Sequence, residues 1–201
     1  MTERKAIDVS RLPVVGFGWE APIWWGQLYM AIIEGTLFAM LIAAYLYARM
    51  SFAVWPPPGA NLPDLVLPTA AVVILLLSCI PMYWGDQATH THDWTRMAAG
   101  LILNWVAGVV YLILRIIEWR KFDFSWSSHL YGSLVWALLG LHTAHVIGSL
   151  CETLVLLVIL AAGHREEKLR EGLNQDEIYW YFVVISGVLL YATVHLVPRL
   201  T

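Results

Sequence analysis

Five long stretches with almost no charged side chains dominate this sequence. A helix that crosses a membrane needs about 20 predominantly apolar residues. Because lipid offers the backbone no hydrogen-bonding partners, such stretches are predicted to be helices and not strands. The sequence therefore predicts an all-α fold, a polytopic membrane helix bundle with five transmembrane helices. Their approximate ranges are 24–47, 65–84, 97–119, 129–163 and 178–197.

Composition excludes most other classes of protein. Of the 201 residues, 59% are hydrophobic and only 13% are charged. A soluble globule of this size buries too small a fraction of its surface to hide so many apolar side chains. The net charge of −3 gives no reason to expect a polyanionic partner, so no nucleic-acid binding is predicted. The connections are short, and the whole chain, residues 1–201, is predicted to be a single membrane domain.

The distribution of Lys and Arg predicts the orientation. In membrane proteins, the connections on the cytoplasmic side carry an excess of these residues. The N-terminal segment and the second and fourth connections hold seven of them, and the other side holds four, with Arg115 left out because it lies inside the third stretch. The predicted topology therefore has a cytoplasmic N-terminus and a C-terminus on the opposite side.

Glu34 is the only charged residue deep inside the first stretch. An ionisable group in a membrane-spanning helix is costly, so it usually faces the bundle interior or a hydrated cavity and has a function. The functional interpretations are proton handling, contact with a lipid head group and metal ligation. The structural alternative is a protonated carboxyl group that is hydrogen-bonded to a neighbouring helix.

Four polar residues share one face of the fourth stretch, because they recur at helical spacing. They are His142, His145, Ser149 and Glu152. Two histidines on one helix supply at most two metal ligands, and known helical sites add carboxylates from facing helices. Structural, hydrogen-bonded histidines are therefore the favoured interpretation. The alternative is a haem b-binding membrane anchor, which would need axial histidines on facing helices, such as His142 or His145 with His195.

The third and fifth stretches also carry interior polar residues. Arg115 and Glu118 lie three positions apart on a helix and are predicted to pair. Asn104 is predicted to hydrogen-bond to a neighbouring helix. His195 stands alone near the outer end of the fifth stretch and is predicted to be an interfacial histidine.

Two charged connections are predicted to be loops. Residues 85–95 contain aspartates and histidines whose spacing matches no specific metal site, so a solvated loop is the favoured interpretation. Residues 164–176 form a second charged connection. The acidic and histidine residues of segment 85–95 are Asp86, His90, His92 and Asp93.

Several motifs, in this order along the chain, resemble subunit III of the haem-copper terminal oxidases, the cytochrome c and quinol oxidase type. Residues 32–38 are similar to the segment that carries the family's intramembrane glutamate, which is Glu34 here. Residues 67–70 and 75–78 resemble the next helix. The family's Glu-Tyr/Trp and Tyr-Gly-Ser elements are resembled by residues 118–119, 122–124 and 131–133. Its Tyr-Trp-His-Phe-Val segment is resembled by residues 179–183. The strongest likeness is that of residues 140–148, GLHTAHVIG, to Gly-Phe-His-Gly-x-His-Val-x-x-Gly.

The resemblance covers about residues 23 to 198 and has three departures. Ile33 stands where the family has Ser, Tyr181 where it has His, and Val184 where it has Asp. Five helices fit the short members, which lack the first two helices of the seven-helix form. The departures leave open a divergent oxidase branch or the subunit-III-like accessory chain of a nitric oxide reductase.

The resemblance implies a non-redox accessory subunit that supports the stability, lipid binding and proton uptake of subunit I. It implies that this chain has no catalytic, cofactor-binding or metal-binding residues, that haem and copper reside in the partner subunit, and that phospholipid is bound. The implied partners are oxidase subunits I and II and membrane lipids, in a bacterial plasma (inner) membrane. The electron donor, cytochrome c or quinol, is left open. The interior positions expected to matter are Glu34, His142, His145, Glu118, Arg115 and Glu152.

Overall fold

The computed structural model describes residue 19 and residues 21–58, 60–164 and 167–200. Five helical segments in these ranges are long and apolar enough to cross a membrane, which confirms the predicted all-α bundle of five transmembrane helices. The side of the membrane that holds the N-terminus stays a prediction. The helices are α1 (Pro22–Ser51), α2 (Val66–Leu77), α3 (Cys79–His90), α4 (Trp94–Arg120), α5 (Leu130–Ala161) and α6 (Glu167–Tyr191).

The second span, Val66–His90, is interrupted at Ser78, which separates α2 from α3. Pro81 has no backbone N–H and so cannot donate to the carbonyl four residues earlier, which weakens the helix at this point. The Ser78 hydroxyl donates to the carbonyl oxygen of Leu75 at 2.6 Å and accepts from the indole nitrogen of Trp180 at 2.9 Å. The interruption is therefore held to α6 by a buried hydrogen bond.

The prediction that residues 85–95 form a loop is wrong for its first half. Helix α3 continues to His90, so that Asp86 and His90 are helical and only a short turn separates α3 from α4. Asp93 ends this turn, and its carboxylate accepts a hydrogen bond from the backbone N–H of Arg96 at 3.1 Å. Aspartate at this position caps one of the free N–H groups of the first helical turn.

The prediction that residues 164–176 form a connection is wrong in the same way. Helix α6 begins at Glu167, well before residue 178, so that Asp176 and Glu177 lie within the helix. The C-terminal end of this span changes form, because Ala192–Leu196 adopts a π-helical turn and Val197–Arg199 a 3₁₀ turn. A π-helical turn inserts an extra residue and shifts the face on which the following side chains lie.

Small residues allow α4 to pack closely against its neighbours. A Cβ atom added to Gly100 would lie 2.6 Å from the Cα of Gly85 and 2.7 Å from the carbonyl oxygen of Pro81, so α3 and α4 touch through their backbones. Close contact through small residues is a common way for helices to associate in membranes. Helix α1 is the most peripheral, since only 11% of its most apolar segment is buried.

Candidate functional site

The polar interior of the bundle centres on a buried ion pair in α4. A guanidinium nitrogen of Arg115 lies 2.6 Å from a carboxylate oxygen of Glu118, and the two residues are only 6% and 3% exposed. This is the predicted pair, and it is buried within the bundle. A second guanidinium nitrogen donates to the Tyr111 hydroxyl at 2.6 Å. The positive charge is thus held from two directions.

Tyr111 links this pair to α5 and α6 through His142. The Tyr111 hydroxyl lies 3.0 Å from Nδ1 of His142, and Nε2 of His142 lies 2.9 Å from the carbonyl oxygen of Val183. Because a carbonyl oxygen only accepts, Nε2 carries the hydrogen and Nδ1 accepts from Tyr111. This assignment leaves His142 a neutral imidazole with a hydrogen bond at each ring nitrogen.

His195 does not stand alone, and that part of the sequence prediction is wrong. The π-helical turn directs its ring into the bundle, where it is 1% exposed and Nε2 lies 3.2 Å from the second carboxylate oxygen of Glu118. The contact is close enough for electrostatic attraction but lacks hydrogen-bond geometry. Arg199 holds the turn in place, because its guanidinium donates to the carbonyl oxygens of His195 and Pro63.

Glu34 of α1 pairs with His145 of α5. The nearest carboxylate oxygen lies 3.2 Å from Nε2 of His145, and Nδ1 donates to the carbonyl oxygen of Leu141 at 2.8 Å. The Glu34 side chain is 33% exposed and that of His145 is 10% exposed. Since Nδ1 carries a hydrogen, the contact with Glu34 needs one further proton, on either the carboxyl group or the ring. The pair is therefore a polar, proton-holding contact at the edge of the bundle.

The polar residues on the predicted face of α5 lie next to three different parts of the bundle. His142 faces Tyr111 and α6, and His145 faces Glu34 on α1. Glu152 is partly buried and lies near Asp176 of α6. Within the described ranges, no three His, Cys, Asp or Glu side chains converge as a metal site would require.

Sequence reasoning missed Asp176. It is fully buried, and both of its carboxyl oxygens lie within 3.0 Å of the Thr153 hydroxyl. One signal was present, because Asp176 lies one helical turn before Trp180 and so on the same face of the helix as this buried tryptophan. The predicted interhelical hydrogen bond of Asn104 does not occur among the described residues, since both of its amide atoms lack partners.

Comparisons with known proteins agree with this architecture. The model of a family described as cytochrome c oxidase subunit III matches residues 18–197. The chain is 28% identical to cytochrome c oxidase subunit 3 of Thermostichus vulcanus over 175 residues, which is 87% of each chain. It is 27% identical to the Synechocystis protein of that name, over 85% of this chain and 74% of the relative. It is 24% identical to the Drosophila melanogaster protein, over 85% and 68%.

The family match covers nearly all of the described helices and is close to the range over which the motifs resemble subunit III. It favours an oxidase over a nitric oxide reductase complex. Its members are subunits of a multi-subunit oxidase, in which this chain has an accessory role in a membrane. The chain therefore belongs to the cytochrome c oxidase subunit III family.

Proposed function

We propose that this chain docks laterally onto the haem- and copper-bearing subunit I of an oxidase, in a complex that also contains subunit II, and carries no redox centre itself. In this proposal it stabilises subunit I, holds phospholipid and supports proton uptake. Oxygen is reduced to water in the partner, and the same reaction drives proton translocation. The chain accordingly has no catalytic residue of its own.

The observation that carries this proposal is the hydrogen bonding of the two interior histidines of α5. Both ring nitrogens of His142 and both of His145 have partners within the chain, at 2.8–3.2 Å. Haem or copper ligation through either ring would sacrifice a buried hydrogen bond, at a cost of about 1–3 kcal/mol for the partner left unpaired. The histidines are therefore better suited to holding helices together than to binding a metal.

The Glu34–His145 pair supports a role in lipid or proton binding. It lies between α1 and α5, where Glu34 remains partly exposed at a depth that is otherwise apolar. A polar group in hydrocarbon gains most from a partner that supplies hydrogen bonds or charge, such as a phospholipid head group or the subunit I surface. Helix α1 presents many exposed apolar side chains around it, which suit a lipid or protein neighbour.

The proposed location is the plasma (inner) membrane of a bacterium. Two of the relatives are cyanobacterial proteins. The excess of Lys and Arg in the N-terminal segment and in the second and fourth connections favours a cytoplasmic N-terminus.

The test is to purify the complex through an affinity tag on this chain and to identify the proteins that accompany it. We expect a large polytopic subunit and a Soret band in the optical spectrum of the complex. When detergent separates this chain from the large subunit, the Soret band should remain with the large subunit. A Soret band that stays with this chain would overturn the proposal, as would purification of this chain without any haem-bearing partner.

A second measurement tests the accessory role directly. Complexes that lack this chain should start oxygen reduction normally but lose activity during sustained turnover. Complexes with Glu34→Gln should lose activity sooner than those with Glu152→Gln, which also removes a carboxylate from a membrane span but leaves the Glu34–His145 contact intact. Equal catalytic lifetimes with and without the chain would contradict the accessory role, and equal lifetimes of the two variants would contradict the role of Glu34.

A further inference from the structure

Among the described residues, the buried carboxyl group of Asp176 is hydrogen-bonded to one hydroxyl group. Thr153 Oγ1 lies 3.0 and 2.8 Å from its two oxygens and also 3.0 Å from the carbonyl oxygen of Ser149. A hydroxyl group has one hydrogen to donate, and a carboxylate and a carbonyl oxygen only accept. If Asp176 were ionised, the Thr153 hydroxyl would face acceptors on every side. A proton on Asp176 resolves this conflict, because the acid donates to Thr153 and Thr153 donates to Ser149.

The surroundings of Asp176 also favour the protonated form. Within the described ranges, no Lys, Arg or His lies within ion-pair distance of it, and the nearby charged group is the acidic side chain of Glu152 on α5. The next residue on the same helix, Glu177, is also acidic, and α4 buries the uncharged Asn104. An ionised carboxylate without a counter-charge is strongly disfavoured inside a membrane bundle.

A second, independent observation comes from Asn104 and Ser149. Both residues are fully buried, and both the amide nitrogen and the amide oxygen of Asn104 lack hydrogen-bond partners among the described residues. The hydroxyl group of Ser149 also lacks one. A buried polar group without a partner costs about 1–3 kcal/mol, and such groups in native proteins commonly bind internal water.

The contacts one helical turn away show where Asn104 points. Gly108 faces both α5 and α6, since a Cβ atom added to it would lie 2.6 Å from a methyl carbon of Leu150 and 3.0 Å from the Trp180 ring. The indole of Trp105 donates to the carbonyl oxygen of Leu150 at 3.2 Å, which fixes the same register between α4 and α5.

The register then places the polar groups at one level. Asn104 lies one turn before Gly108 on the same face of α4. Helix α5 runs antiparallel to α4, so one turn in the same direction along the bundle leads from Leu150 to Thr153. Helix α6 runs parallel to α4, so the same step leads from Trp180 to Asp176. Asn104 therefore faces the level at which Thr153 holds Asp176, and Ser149 lies one turn from Thr153 on the same face of α5.

We propose that α4, α5 and α6 enclose a water-binding site in which internal water links Asn104 and Ser149 to Asp176, which is held as a carboxylic acid. Water fits because Asn104 needs both a donor and an acceptor, and one water molecule supplies both. A bound monovalent cation would serve the amide oxygen but would leave the amide nitrogen unpartnered. The site lies apart from the Glu34–His145 pair and does not depend on the role proposed for that pair.

The test is infrared difference spectroscopy of the purified oxidase complex before and after exchange into D₂O. We expect a C=O stretching band of a protonated carboxylic acid that is lost in Asp176→Asn and retained in Glu152→Gln, the matched control on the facing helix. Ser149→Ala and Asn104→Leu should retain the band but shift it, because each removes one partner of the bridging water. Retention of the full band in an assembled Asp176→Asn complex would overturn the proposal.

Two further measurements on the unmodified protein keep the proposal testable if Asp176→Asn fails to assemble. Aspartate that is isotopically labelled in its side-chain carboxyl carbon should shift the band, and a band that does not shift would refute a protonated aspartic acid. Replacement of sodium by choline should leave the band unchanged. A band that appears only without sodium would show that a cation occupies the site in place of water and would overturn the proposal.

Discussion

Removal of the positive charge from the buried Arg115–Glu118 pair should destabilise the chain more than any surface substitution. In Arg115→Met the apolar volume is largely kept, but the carboxylate of Glu118 loses the guanidinium at 2.6 Å. Tyr111 loses a charged donor at the same distance. The carboxylate would stay buried at 3% exposure, with the ring of His195 beside it. Glu118 would then have to take up a proton or remain an unpaired charge.

The size of the effect follows from the burial of both partners. Loss of one partner of a buried ion pair costs about 3–5 kcal/mol, because the remaining charge is not compensated. The double variant Arg115→Met/Glu118→Gln removes both charges and should retain a loss of only about 1–2 kcal/mol for the altered hydrogen bonds. The control is the Asp93–Arg96 pair, whose side chains are 37% and 61% exposed. Arg96→Met should change the free energy of unfolding by less than about 1 kcal/mol.

The assay is reversible unfolding of the purified chain in mixed micelles with increasing sodium dodecyl sulfate, followed by the fluorescence of its 11 tryptophans. Arg115→Met should unfold at a clearly lower detergent fraction than the unmodified chain, and the double variant should recover most of the difference. If Arg115→Met is no less stable than Arg96→Met, or if the double variant is as unstable as the single one, the uncompensated charge is not the cause and the reasoning fails.

Two further predictions use the same assay. Gly100→Ala should destabilise the chain by about 1–3 kcal/mol, because its new methyl group would overlap the backbone at Gly85. The control is Gly140→Ala, whose methyl group would meet nothing within 4 Å and which should be neutral or slightly stabilising. Equal effects of the two variants would show that α3 and α4 separate without cost. Glu34→Leu should lower the free energy of unfolding by about 1–2 kcal/mol, because it leaves Nε2 of His145 without its partner. Glu34→Gln should lower it less, because it keeps a hydrogen-bonding group there. A Glu34→Leu variant as stable as Glu34→Gln would contradict a stabilising contact.

The number of spans and the nature of the interior were predictable from the sequence. The hydrocarbon core of a membrane excludes charged side chains and requires the backbone to form its own hydrogen bonds. Long apolar stretches in a sequence therefore predict helices directly. The pairing of Arg115 with Glu118 followed from helical spacing alone, since residues three apart lie on neighbouring parts of a helix surface. The depth of that pair did not follow, because burial depends on which helices pack over it.

The parts that sequence reasoning missed depend on contacts between distant segments. The charged residues around Asp176 in the sequence predict a loop, yet Thr153 and the packing of α5 keep it inside the bundle. The sequence predicts an isolated His195, because the π-helical turn at Ala192–Leu196, which points it at Glu118, has no signature in the local sequence. The partner of Glu34 was hidden in the same way, since His145 lies on the fourth of the five spans.

The polar interior of the bundle is divided into two levels. The network of Arg115, Tyr111 and His142 lies toward the end of the bundle where α4 finishes, and the group around Asp176 lies toward the other end. Between them Leu150 and Trp180 pack onto Gly108 so closely that a single added methyl group would overlap them. Among the described residues, no hydrogen bond joins the two levels. This close-packed apolar layer therefore separates the polar groups of the two halves.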